Sequence, residues 1–190
     1  MLRLRHHLVI GLSVLASGLA PAAPVDALVV LMRPGHVLLL RHANAPGVGD
    51  PPGMVLADCS TQRNLDDRGR AQAAELGERL RAAGINDVRV YTSQWCRCRE
   101  MAKLLAIGPV EELPALNSFF EQPETKAARL KALREFLDEL PRDSGPVVFV
   151  THQVTITALT GSFPSSGEGM VLELQTGGGF KRVAEFEGSE

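Results

Sequence analysis

The sequence predicts an α/β protein, a three-layer α/β/α sandwich in which helices cover both faces of a mostly parallel sheet. The first observation is a pair of continuous apolar runs at residues 37–40 and 147–150, as expected for strands buried on both faces. The second is the alternation of short strand patterns with amphipathic helical patterns between these runs. That order of elements is the one that builds parallel sheets.

Residue periodicity places the elements in chain order. Apolar and small residues at every third or fourth position predict helices, and short apolar or β-branched runs predict strands. The predicted helices cover residues 27–33, 66–83, 93–105 and 125–140. The predicted strands cover residues 37–40, 88–91, 110–113 and 147–150, followed by a closing hairpin at 170–174 and 180–186.

Polar residues and helix breakers set the ends of these elements. Asp26 and Ser93 are positioned to cap two helices with their side-chain oxygens, and Gly84 is positioned to end a third. Residues 44–64 are rich in Gly, Pro and Asp, which predicts an irregular loop ahead of the helix at 66–83.

The composition indicates one globular domain. The chain has 190 residues, of which 45% are hydrophobic and 22% charged, and its formal net charge is -2. A nearly neutral chain lacks the basic surface that binding to nucleic acid or to anionic lipid requires, so we expect neither partner.

The first 22 residues have the layout of a signal peptide. Arg3 and Arg5 precede an apolar run at residues 8–19, and small residues follow up to Ala22. A run of about a dozen residues is too short to cross a bilayer as a helix, so a retained membrane anchor is the less favoured alternative. We therefore expect cleavage after Ala22, a mature domain at residues 23–190 without a membrane span, and a periplasmic or secreted location.

Three cysteines permit one disulfide in an exported protein. Cys96 and Cys98 lie two positions apart on a predicted helix and point to different sides, so they are poor partners for each other. We predict a bridge from Cys59 to Cys96, with Cys98 as the alternative partner. In a cytosolic protein all three would be free thiols. No metal site is expected, because the cysteines lack a C-x-x-C pair and no histidine cluster accompanies them.

The two buried strands end in candidate catalytic residues, since Arg41-His42 follows one strand and His152 follows the other. In open α/β sheets ligands bind at the carboxyl ends of the strands, where both histidines can reach one pocket. A neutral imidazole can accept a phosphoryl group, and an adjacent guanidinium can bind phosphate with two hydrogen bonds. A buried histidine that only satisfies backbone groups is the structural alternative.

Four motifs occur in a fixed order along the mature chain. They are LLLRHA at residues 38–43, RNLDDRGRAQA at 63–73, SQWCRCREMA at 93–102 and VFVTH at 148–152. In these motifs the chain resembles the histidine phosphatase superfamily, the phosphoglycerate-mutase-like phosphatases, in its smaller first branch. The resemblance implies a phosphoglycerate-mutase-like fold.

The same resemblance implies a role for each matched residue. His42 is expected to take the phosphoryl group and pass it to water, while Arg41, Arg97 and His152 stabilise its oxygens. Arg63 is a candidate phosphate or substrate ligand from the loop, with a surface role as the alternative. No metal or organic cofactor is implied, because these side chains already supply the positive charge.

The sequence departs from the family pattern at the proton donor. The family has a glutamate beside a Leu-Asn pair, whereas Leu116-Asn117 is followed here by Ser118, and a serine is a poor acid. Glu121 is the nearest carboxyl group, and we nominate it as the donor, with a solvated loop glutamate as the alternative. A leaving group such as phosphohistidine or acyl phosphate would need no donor. A second departure is Met101, where the family usually has threonine.

These residues predict a phosphatase that acts on a phosphomonoester or phosphoramidate through a phosphohistidine on His42. A phosphorylated small molecule or an envelope glycan is the expected substrate. A phosphohistidine protein phosphatase or a mutase on the same fold is one alternative, although a mutase must shield its phosphoenzyme from water. An inactive phosphate-binding module of the cell envelope is another.

Overall fold

The computed structural model describes residues 26–188. The predicted signal peptide and its cleavage point lie outside the described residues. The helices are α1 Ala27–Leu31, α2 Asp67–Ala82, α3 Cys96–Leu105, α4 Lys126–Glu139 and α5 Gln153–Thr160. The strands are β1 His36–Arg41, β2 Arg89–Thr92, β3 Val110–Glu112, β4 Val147–Thr151, β5 Gly169–Leu174 and β6 Phe180–Phe186.

The strands form one six-stranded sheet in the order β3-β2-β4-β1-β5-β6. The strands from β3 to β1 are parallel, whereas β5 pairs antiparallel with both β1 and β6, so the prediction of a mostly parallel sheet is confirmed. Arg41 is paired with Thr151 at the carboxyl ends of β1 and β4. This register places His42 and His152, the next residue of each strand, side by side.

Apolar cores lie on both faces of the sheet, as in a three-layer sandwich. Leu38 and Leu40 of β1 belong to the core beneath α2 and α3. Val37 and Leu39 point the other way, into the core covered by α4 and α5. Because both faces of β1 are buried, the strand needs apolar residues at successive positions, which explains the continuous run in the sequence. Across residues 26–188 no helix is long and apolar enough to cross a membrane.

Helix α5 is the element that the sequence did not predict. Val154, Thr155 and Ile156 are β-branched and favour strands over helices when no tertiary contact intervenes. Packing of the buried Ile156 and Leu159 against the sheet outweighs that preference, and Gly161 ends the helix with a φ of 79°.

The predicted cap at Ser93 is wrong. Helix α3 begins at Cys96, and its N-cap is Trp95, whose side chain makes no capping hydrogen bond. Ser93 lies before the helix, where its hydroxyl contacts His152 instead. The predicted cap at Asp26 is confirmed, because its carboxylate accepts a hydrogen bond from Leu28 N at 2.9 Å.

A disulfide joins Cys59 to Cys96 across 37 residues, and Cys98 is a buried free thiol. In the chain-entropy treatment, closing a loop of this length contributes about 3–4 kcal/mol to the free energy of unfolding. The bridge attaches the loop at residues 44–64 to the first residue of α3. Arg97, the next residue of that helix, therefore lies beside the loop.

Candidate active site

A cavity of about 350 Å³ opens at the carboxyl ends of β1 and β4. The candidate site residues all line it, and they are Arg41, His42, Arg63, Arg97, Glu121 and His152. The structure therefore brings together residues that lie up to about 110 positions apart in the sequence. Their chemistry depends on how each side chain is held.

His42 is held as a neutral imidazole with a free lone pair. Its Nδ1 lies 2.8 Å from the carbonyl oxygen of Ala43, and a carbonyl oxygen only accepts, so Nδ1 carries the proton and Nε2 does not. Burial lowers the pKa of His42 to about 3, the charge of Arg97 lowers it further, and the Ala43 hydrogen bond opposes both. Nε2 therefore carries an unprotonated lone pair at neutral pH.

Polar side chains fix the orientation of the His152 ring. Its Nε2 lies 2.8 Å from Ser93 Oγ and 3.6 Å from Cys98 Sγ, and Ser93 Oγ donates to Asn117 Oδ1 at 3.2 Å. The ring packs edge-on against His42 with 5.5 Å between the ring centroids. Burial, together with the charges of neighbouring groups, lowers the pKa of His152 well below its usual range. Ser93 thus positions the second imidazole rather than capping α3.

Arg41 and Arg63 are oriented by backbone carbonyl groups. Arg41 Nη1 donates to Pro164 O at 3.0 Å, and Arg63 Nε donates to Gly49 O at 2.7 Å. Burial lowers the pKa of both guanidinium groups, although arginine remains charged at neutral pH. Within the described part of the chain, Arg41 Nε and Arg97 Nε are buried donors without a hydrogen-bond partner. A bound oxyanion is the kind of acceptor such donors require.

Asp50 is a site residue that the sequence analysis missed. Its carboxylate accepts from Arg97 Nη1 at 2.7 Å and from Arg97 Nη2 at 3.1 Å, and both side chains are nearly buried. Trp95 Nε1 and Arg63 N also donate to it, at 2.9 and 3.0 Å. Burial would raise the pKa of Asp50, but the hydrogen bonds from Arg97 and Arg63 outweigh it and lower the pKa. Asp50 is therefore ionised and fixes the orientation of Arg97.

The sequence profile of the histidine phosphatase superfamily (branch 1) matches residues 37–120. That segment contains His42 and the arginines at positions 41, 63 and 97, which meet in the cavity together with His152. In this segment the chain shows the sequence pattern of the histidine phosphatase superfamily, branch 1.

The curated relatives match a short part of this chain. The serine/threonine-protein phosphatase Pgam5 of Drosophila virilis is 36% identical over 70 residues, which are 37% of this chain and 22% of the relative. The Pgam5 protein of Drosophila grimshawi is 34% identical over the same length. The match spans about a fifth of the length of these relatives.

Solved structures share the fold over most of the chain. The protein histidine phosphatase SixA complexed with tungstate is 17% identical, with a TM-score of 0.53 over 80% of this chain and 96% of that one. A mycobacterial glucosyl-3-phosphoglycerate phosphatase complexed with VO3 is 15% identical, with a TM-score of 0.55 over 77% and 96% of the two chains. At these identities the likeness shows the fold.

The superfamily's usual glutamate position is occupied here by Ser118, which lines the cavity. Its hydroxyl accepts a hydrogen bond from Phe120 N at 3.2 Å and so stabilises a turn. Glu121 also lines the cavity and is exposed, and its Oε1 accepts from Asp50 N at 2.7 Å. Met101, the other departure from the family pattern, is fully buried, and its sulfur accepts from Ala43 N at 3.0 Å.

We expect the free energy of unfolding to fall as the pH drops below about 6.5, with His42 contributing a measurable share. The pKa of His42 is about 3 in the folded protein, so between these values the unfolded chain binds the proton and the folded chain does not. From pH 7 to pH 5 this difference costs about 2 kcal/mol. Urea unfolding of the wild type and of His42→Asn at both pH values measures it.

The asparagine variant should lose less stability than the wild type over that acid interval. Between pH 7 and pH 8 the two proteins should respond alike, since the histidine is then mostly neutral in both states. Equal losses for the two proteins on acidification would show that His42 titrates normally in the fold.

Proposed function

We propose that the chain is a phosphatase that hydrolyses a phosphomonoester or phosphoramidate through a phosphohistidine on His42. The observation that carries the proposal is the unprotonated Nε2 of His42 in a cavity shared with three arginines and a second imidazole. The superfamily, the Pgam5 relatives and the neighbouring structures named above are phosphatases, which supports phosphatase activity.

The first step is an in-line attack on phosphorus. His42 Nε2 donates its lone pair to form the N–P bond, and the bond to the leaving oxygen or nitrogen breaks with its electron pair. Arg41, Arg97 and His152 surround the equatorial oxygens, where negative charge is concentrated during transfer. Water then attacks the phosphohistidine, which releases inorganic phosphate and restores the neutral imidazole.

The leaving group takes up a proton in the first step, and we assign its delivery to Glu121. Asp50 is unsuited to this task because its pKa is lowered in the pair with Arg97. Glu121 lines the same cavity and is open to solvent, which suits a residue that exchanges protons with the leaving group. General acid catalysis of this kind contributes about 10²–10⁴-fold to the rate, and only for leaving groups that need protonation.

A phosphohistidine protein phosphatase is the second candidate. Ser118 at the usual glutamate position favours it, because an imidazole leaves phosphorus with little help from an acid. A mutase is less favoured, since the cavity is open to water that would hydrolyse its phosphoenzyme. The substrate of the first candidate is a phosphorylated small molecule or an envelope glycan. The Cys59–Cys96 bridge supports a periplasmic or secreted location.

A phosphoenzyme trap tests the proposal. Wild-type protein mixed with ³²P-labelled p-nitrophenyl phosphate and quenched within milliseconds should carry label that is stable in alkali and labile in acid, as an N–P bond is. Peptide mapping should place the label on the fragment that contains His42. Turnover without any labelled protein, or label on another residue, would overturn the assignment.

A further inference from the structure

Three apolar side chains surround the mouth of the cavity. Val48, Phe120 and Phe163 are 87%, 55% and 73% exposed, and all three line the cavity. They are half of the six large apolar side chains that residues 26–188 expose to solvent. Isolated exposed apolar residues are ordinary, but several gathered at one opening mark a binding surface. We call these three residues the apolar collar.

Each collar residue is followed by a residue that is hydrogen-bonded to a residue at the anion-binding end of the cavity. Val48 precedes Gly49, whose carbonyl oxygen accepts from Arg63. Phe163 precedes Pro164, whose carbonyl oxygen accepts from Arg41. The collar is therefore built from separate segments of the chain, and hydrogen bonds hold it in register with the phosphoryl site.

Phe120 is held in a similar way. It precedes Glu121, whose Oε1 accepts from Asp50 N at 2.7 Å. Its ring also lies over the loop at residues 44–64, since a Cβ built on Gly49 would be 3.8 Å from Phe120 Cε1. The ring thus lies where the segment that carries Phe120 meets the loop at residues 44–64.

The charges of the cavity are distributed unevenly. Among the described residues that line it, the cations are Arg41, Arg63 and Arg97. Arg41 and Arg97 are assigned to the phosphoryl oxygens, and Arg63 Nε and Nη1 donate to the carbonyl oxygens of Gly49 and Ala45. The remaining polar residues of the lining are neutral or negative, and they include Glu121. A second phosphate or a carboxylate on the substrate would have to share these three guanidinium groups with the phosphoryl group.

We infer that the apolar collar binds the organic part of the substrate, which is the phosphomonoester of an apolar alcohol without a second anionic group. This inference rests on the proposed phosphatase function. A cavity of about 350 Å³ lies in the range that holds an organic ligand and is larger than a phosphoryl group needs. Burial of an alkyl or aryl group against the collar supplies binding free energy that a sugar cannot match.

Two substrates with the same kind of leaving group test the inference. Hexyl phosphate and glucose 6-phosphate are both esters of a primary alcohol, so their ratio of kcat/KM reports recognition rather than leaving-group chemistry. We expect the wild type to prefer hexyl phosphate by at least about tenfold. The double variant Phe120→Ser/Phe163→Ser should bring the ratio close to one, and Val29→Ser, an exposed apolar residue outside the cavity, should leave it unchanged. Benzyl phosphate shows whether a ring or a chain is preferred.

Binding measured by calorimetry tests the role of the apolar collar separately from the phosphatase activity. If the wild type hydrolyses neither these esters nor a histidine-phosphorylated peptide, the phosphatase proposal fails, yet a tenfold preference for binding hexyl phosphate that the double variant loses would uphold the collar. Equal rates on the two esters would refute the collar and leave the phosphatase intact. Turnover confined to a histidine-phosphorylated peptide would also refute it.

Discussion

Replacing His42 with alanine is expected to lower kcat for p-nitrophenyl phosphate by at least about 10⁴-fold, because covalent catalysis is lost as a whole when the nucleophile is removed. The other imidazole is not expected to replace it, since His152 Nε2 is engaged with Ser93 Oγ at 2.8 Å. Nitrophenolate needs no proton to leave, so the assay isolates the nucleophile from the acid. Initial rates at saturating substrate measure the effect.

His36→Ala is the matched control. His36 is also buried and lies at the first position of the same strand, where its Nδ1 contacts Pro34 O at 2.9 Å, far from the cavity lining. This variant should keep kcat within about threefold of the wild type, even where it lowers stability. A His42→Ala protein that retains a tenth of the wild-type kcat would show that the phosphoryl group does not pass through this residue.

Arg97→Met is expected to lower the free energy of unfolding by about 3–5 kcal/mol, since it leaves the Asp50 carboxylate buried without its counter-charge. The two side chains are 3% and 5% exposed, so solvent does little to screen the remaining charge. The variant should also lose affinity for vanadate, because a guanidinium at the oxyanion site is removed. Urea denaturation and vanadate inhibition measure the two effects separately.

The double variant Arg97→Met/Asp50→Asn should regain several kcal/mol of that stability without regaining vanadate affinity. Asp67→Asn is the surface control, because Asp67 pairs with Arg70 while its side chain is 98% exposed, and its loss should cost less than about 1 kcal/mol. A single Arg97→Met variant as stable as the wild type would mean that the Arg97–Asp50 pair contributes nothing to the fold.

The fold was predictable from the sequence where burial alone determines the pattern. A strand covered on both faces needs apolar residues at every position, and β1 and β4 meet that requirement with almost no competing signal. The ends of α4 and β3 were predicted to within a residue or two, which is the usual uncertainty of such boundaries. Helix α5 was missed because its β-branched residues favour a strand, and only packing against the sheet makes it helical.

The site was predictable where a residue follows a strand or belongs to a motif. Asp50 was missed because it lies in a loop whose composition indicates only irregular structure, and its pairing with Arg97 depends on a tertiary contact. Ser93 was predicted to cap α3, because a serine before a helix usually does so, whereas its hydroxyl contacts His152. The apolar collar left no trace in the sequence, because isolated phenylalanines in loops carry no periodic signal.

The position of one part of the candidate site depends on the Cys59–Cys96 disulfide, and the position of the other part does not. His42 and His152 directly follow the paired strands β1 and β4. Backbone hydrogen bonds hold these strands together, and a reductant does not affect them. Asp50 and Val48, in contrast, belong to the loop at residues 44–64, which contains a short 3-10 turn at Cys59–Thr61 and is joined to α3 by the disulfide. In a reducing compartment His42 and His152 would therefore keep their positions. The loop that carries Asp50 and Val48 would lose its covalent link to α3 and become more mobile.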